Sequence, residues 1–140
     1  MSPEERKGLQ ARVREAARMI GQRDALRLVV LFGSAAVPSQ DAPADIDLAL
    51  KGDGLLNLVE LTNRFIQETG VQEIDLVDLT HADPLLLALV ARDGLPLYEA
   101  EPGMFARFAS LAARRFADTR KFRDAEANEV TDFIAGRPAG

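Results

Sequence analysis

The 140-residue chain has no cysteine, a single histidine (His81) and a single tyrosine (Tyr98). Without thiols there is no disulfide scaffold, thiolate zinc site, cysteine nucleophile or iron–sulfur ligation, and the lack fits a reducing compartment. No run approaches the roughly eighteen uninterrupted apolar residues that a bilayer-spanning helix requires. The opening residues, MSPEERKGLQ, are charged and hold no apolar secretory core. A cytoplasmic protein without membrane attachment is the expectation. A chain of this length forms one real core and not two. Residues 1–135 are therefore expected to form a single domain, with 136–140 as a frayed tail.

What is present is acidity in one place. Net charge is −5, yet residues 1–30 hold seven Lys/Arg against four Asp/Glu, and residues 101–140 seven against six. Residues 31–100 hold three against twelve. A negative field concentrated there attracts cations and opposes the grip of this segment on a nucleic-acid backbone, so direct nucleic-acid binding is not expected.

Local signals give the elements. Ser2-Pro3-Glu4-Glu5 has the form of a capping box with proline at the first helical position. Leu9, Val13, Ala16, Ala17 and Ile20 keep helical spacing, and Gly21 offers a stop. Leu26 to Phe32 reads as a strand buried on both faces. Asp45 to Leu50 alternates, with Asp45, Asp47 and Ala49 on one side and Ile46, Leu48 and Leu50 on the other, as a half-buried strand does.

After a turn at Gly52 and Gly54, Leu55 to Thr69 is predicted helical and closed by Gly70, followed by a third strand over Ile74 to Leu79. Thr80-x-x-Asp83-Pro84 opens another helix that ends at Gly94, and Pro96 to Tyr98 fits an edge strand. From Pro102 onward the pattern is helical, as one helix or as two broken near Asp118-Thr119. The order predicts an α/β (or α+β) domain with a small central sheet covered by helices.

The question is why a buried strand carries carboxylates. Asp45 and Asp47, two apart, share one face about 6.5–7 Å apart by the strand rise. They repel each other unless positive charge stands between them. Asp75 lies opposite Ile74 and Leu76 in its own strand, so pairing of the two strands would bring it in as a third ligand or a base. Hard divalent cations resolve such a cluster, and Mg2+ takes a few carboxylates together with phosphate oxygens and water. Gly33-Ser34 stands where the first apolar strand ends. A glycine there lets backbone N–H groups approach an anion, and Ser34 adds a hydroxyl donor. The pattern and lysine of a Walker loop are absent. Asp78 falls on the opposite face as a solvated or capping residue, while His81 is read as structural or solvent-facing and Tyr98 as edge-strand packing.

Gly33-Ser34, ten residues, then Asp45-Ile46-Asp47 resembles the G-S-x10-D-x-D signature of the minimal nucleotidyltransferases, in the DNA polymerase β-like superfamily. EIDLVDL resembles that family's third-carboxylate strand, and DGLPLYEA the segment after its next helix. The resemblance implies a small mixed sheet with helices packed behind it, and Mg2+ with ATP as the nucleotide. By position it makes Asp45 and Asp47 catalytic metal ligands, Asp75 the third carboxylate, and Gly33 and Ser34 the triphosphate contacts. The chain departs from the family at Ala35, which brings no charge, and at Pro38, which takes a usual glycine position.

Such proteins resemble the antitoxin half of HEPN/MNT toxin–antitoxin pairs, in which a tyrosine of the HEPN toxin is adenylylated. The resemblance therefore implies an adenylyltransferase antitoxin with a HEPN-type protein partner. Two other readings stand beside it: an antitoxin that neutralises by contact alone, and transfer to a small-molecule hydroxyl. The basic segment ARRFADTRKFRD, interleaved with Phe116 and Phe122, fits partner docking, nucleotide contact or simple packing.

Overall fold

The computed structural model describes residues 2–36 and 45–134, with Ser34, Ala35 and residues 120–134 described through the backbone alone. Helix α1 (Pro3–Arg23) starts where expected: the Glu5 N–H donates to Ser2 Oγ at 3.1 Å, and Pro3 takes the first turn. It does not stop at Gly21 but runs on to Arg23, closed by the Asp24 N–H on the Ile20 carbonyl. Gly21 serves packing instead. A Cβ there would stand 2.5 Å from the ring of Tyr98, so the missing side chain is what lets that ring pack closely against the helix.

Strand β1 (Leu28–Phe32) pairs antiparallel with β2 (Ile46–Lys51), from Leu28 opposite Lys51 to Phe32 opposite Asp47. Helix α2 (Leu58–Thr69) starts at an Asn57 cap, later than the expected Leu55, and ends on left-handed Gly70. It carries the chain over to β3 (Ile74–Asp78), which lies parallel to β2, the connection that a parallel pair demands. Helix α3 (Pro84–Asp93) begins at an Asp83 cap, as its sequence signals. Strand β4 (Leu95–Glu99) then pairs antiparallel with β1, giving the mixed order β3-β2-β1-β4. Pro96 is tolerated because β4 is an edge strand. Helix α4 (Met104–Ile134) is one unbroken helix through Asp118 and Thr119.

Helices cover both faces of the sheet. Leu9, Val13 and Ile20 of α1 and Leu61 and Phe65 of α2 pack on Val29, Leu31, Leu48 and Leu50. On the other face Leu87 and Val90 of α3 and Ala112 of α4 meet Leu28, Val30 and Ala49. This second layer corrects the half-buried reading of β2. Ala49, expected beside solvent with the aspartates, is fully buried because α3 and α4 lie over that part of the sheet. No helix among the described residues is long and apolar enough to cross a membrane.

Candidate active site

The α3/α4 face of the sheet changes character along its length. At one end it is Leu28, Val30 and Ala49, sealed by helices. At the other end, where β1 finishes and β2 and β3 begin, alternation places Asp47 on the same side as Ala49. Parallel register puts Asp75 directly beside Asp47, and Phe32 flanks Asp47 across the antiparallel pair. Asp45 precedes β2 by one residue and is exposed, as is Asp75; Asp47 is half-buried. The expectation that Asp75 joins the Asp45–Asp47 strand thus has a defined geometric form, a shared rung between β2 and β3.

Gly33 follows β1 immediately and opens a single 3-10 turn, Gly33–Ala36. Its φ of +74° lies in the left-handed region, and a Cβ built on it would meet Asp47 Oδ2 at 2.5 Å. Glycine is required there twice over, by backbone conformation and by the carboxylate pressed against it. The Ser34 hydroxyl lies outside the described side chains, as do Pro38 and the rest of the 37–44 loop.

None of Asp45, Asp47 and Asp75 has a cationic partner among the ion pairs of the described residues. The consequence shows in Asp47, whose pKa is raised above the ordinary carboxylate value by burial first, then by the charges of Asp75 and Asp45. Among the described residues no three of His, Cys, Asp and Glu converge tightly enough to hold a metal unaided. The donor set is nonetheless one that suits Mg2+, which keeps water and phosphate oxygens around one or two carboxylates rather than entering an all-protein cage. Unneutralised charge at Asp47 is the feature that a divalent cation would relieve.

Linkage gives this charge a measurable sign. Because the folded pKa is raised, the stability that Asp47 contributes is complete below its unfolded pKa of about 3.9 and is lost as pH rises through the folded value. Asp47→Asn should therefore raise Tm at pH 7 by about 1–3 °C, a small step because the carboxylate is partly solvated. The gap should close near pH 4. Thermal melts of both proteins in EDTA at the two pH values check this, and a lower Tm for the variant at pH 7 would contradict it.

The other singled-out residues lie elsewhere. Asp78 Oδ1 accepts the Thr80 N–H at 2.9 Å in a turn closing β3. His81 is exposed in that same turn, at the end of β3 remote from Asp75. Tyr98 packs against Gly21. Sequence reading did not anticipate Phe32 as the neighbour of Asp47; only antiparallel register reveals it.

Comparison with known proteins identifies the family and the fold. Residues 15–102, a span containing Gly33, Ser34, Asp45, Asp47 and Asp75, match the family described as Polymerase beta, Nucleotidyltransferase. The Protein adenylyltransferase MntA of Aphanizomenon flos-aquae (strain 2012/KM1/D3) is 27% identical over 126 residues, covering 78% of this chain and 81% of its own. A chain in the crystal structure of a toxin–antitoxin with AMP-PNP superposes with a TM-score of 0.70 at 24% identity, over 87% of this chain and 98% of its own. A chain in the complex of tri-AMPylated Shewanella oneidensis HEPN toxin with MNT antitoxin superposes with a TM-score of 0.67 at 23% identity, over 90% and 98%. These two superpositions establish the fold.

Proposed function

This chain belongs to the polymerase beta nucleotidyltransferase family, and from that membership we propose that it transfers AMP from ATP to a hydroxyl of a HEPN-type toxin, acting as the antitoxin. The observation that carries the reading is a rung of carboxylates without a cationic partner among the described residues, Asp47 beside Asp75 with Asp45 at the strand entrance, and Asp47 set against the left-handed turn at Gly33. Support for the nucleotide comes from the relative named as a protein adenylyltransferase and from the similar fold found with AMP-PNP. Support for the acceptor comes from the similar fold found with an AMPylated HEPN toxin.

Each part has a physical role. The acceptor oxygen attacks the α-phosphorus of ATP in line, the bond between that phosphorus and the α–β bridging oxygen breaks, and pyrophosphate departs. Asp75, exposed and beside the reacting face, takes the hydroxyl proton. The backbone N–H groups of the Gly33–Ala36 turn hold the leaving phosphates, and Ser34 contributes its hydroxyl. Mg2+, held by Asp45 and Asp47 together with water and phosphate oxygens, would supply the positive charge that lets a triphosphate approach this acidic end of the sheet. Positioning and charge neutralisation then account for the catalysis, as in phosphoryl transfer generally. The acceptor is a tyrosine and the setting the cytoplasm on this reading.

The test is an intact-mass measurement. The protein is incubated with ATP, MgCl2 and the HEPN-type product of an adjacent reading frame. One or more added AMP groups on the partner are expected, and none when EDTA replaces MgCl2. A stable complex without added mass would instead favour neutralisation by contact alone.

A further inference from the structure

The helix-covered face holds a second feature at the end opposite the carboxylates. Between the start of β1, the end of β2 and the inner side of α4 lies a cavity of about 540 Å3, within the range of small-ligand pockets. Leu28 and Lys51 pair at this end and Phe32 and Asp47 at the other. Four residue steps of strand separate the two rungs, about 13 Å. The cavity is therefore distinct from the site described above.

Its chemistry is unlike that of the chain around it. The walls are apolar, with Leu28, Leu87, Phe108 and Leu111 among them, and Arg27, Lys51, Arg107 and Arg115 join them. In a protein of net charge −5, no acidic residue among the described ones lines this cavity. Two exposed carboxylates stand outside it: Arg27 reaches Asp53 at 3.5 Å and Glu101 at 3.7 Å, and Arg107 reaches Glu101 at 3.8 Å. Lys51 and Arg115 form no ion pair among the described residues. Among the described residues four cations share two carboxylates, and the excess is positive. Helical spacing explains the placement of three wall residues, since Arg107, Leu111 and Arg115 follow one another at intervals of four on one side of α4.

We propose that this cavity binds a small amphipathic anion, an aliphatic or aromatic carboxylate. The cationic side chains would serve any anionic head, and the apolar walls add affinity for one that carries a hydrocarbon body. Unneutralised cations favour an anionic head over a neutral one by a charge-assisted hydrogen bond. The site is independent of nucleotidyl transfer.

Methyl NMR tests this directly. The chain has three methionines, of which Met104 lines the cavity and Met19 is on α1, outside it. In the full chain labelled at the methionine methyls, octanoate should shift the Met104 signal saturably and leave Met19 in place. Octan-1-ol should bind about tenfold more weakly, the worth of one charge-assisted contact. The variant K51Q/R115Q should bring octanoate down to the level of the alcohol, with an unmoved Met19 signal reporting an intact fold. Asp47→Asn should bind octanoate as the parent does. A Met104 signal indifferent to octanoate up to its solubility limit overturns the proposal, as does equal binding of acid and alcohol or of parent and K51Q/R115Q.

Discussion

Asp47→Asn should lower kcat/KM for AMP transfer by about a thousandfold, equivalent to about 4 kcal/mol of transition-state stabilisation. The substitution keeps size and shape but removes the charge at the centre of the acidic rung, where Asp75 is the direct neighbour on β3. Asp45→Asn, one residue before the strand and exposed, should act in the same direction. Asp78→Asn is the matched control: its carboxylate caps the Thr80 N–H at the other end of β3, so transfer should stay within about twofold of the parent. Transfer of labelled AMP to the partner, measured at saturating MgCl2, separates these cases. Retention of more than a tenth of parental activity by Asp47→Asn would remove this residue from the catalytic centre. The expected rise in its Tm makes the result sharper, because lost activity could not then be assigned to unfolding.

Local chemistry made much of the architecture readable. Asp83-Pro84 and Ser2-Pro3 mark helix starts through side chains that accept the first free N–H groups, and such signals need no tertiary context. The alternation from Ile46 to Leu50 placed Asp47 on the face opposite Leu48 for a similarly local reason, while Asp45 falls one residue before the strand. Where neighbours decide, the sequence was silent or misleading. Gly21 has the residue type of a helix stop, but its use is to admit the Tyr98 ring from a strand more than seventy residues later in the chain. Ala49 shares the pattern of the polar side, yet it is buried because α3 and α4 close over it. The continuity of α4 past Asp118-Thr119 was equally undecided by spacing. The four cations of the second cavity come from the entrance to β1, the end of β2 and two turns of α4, and no one-dimensional pattern links them.

Gly33→Ala, paired with Gly70→Ala, isolates what the left-handed turn does for the site. Both glycines have φ of +74°, so alanine meets the same backbone cost at each, about 1–2 kcal/mol of stability. They differ in their surroundings. A Cβ at Gly70 meets nothing within 4 Å, whereas one at Gly33 falls 2.5 Å from Asp47 Oδ2, closer than real Cβ contacts allow. The carboxylate must therefore swing away or the turn must open, and a displacement on the order of 1 Å at a reacting centre costs about a hundredfold in rate. Gly70→Ala should accordingly lose stability and keep its kcat, while Gly33→Ala should lose a similar amount of stability and about two orders of magnitude in kcat. Denaturant titration and transfer kinetics on the same two preparations read both quantities. Equal kcat in the two variants would mean that contact between the Gly33 backbone and Asp47 has no part in catalysis, since stability alone would already account for both.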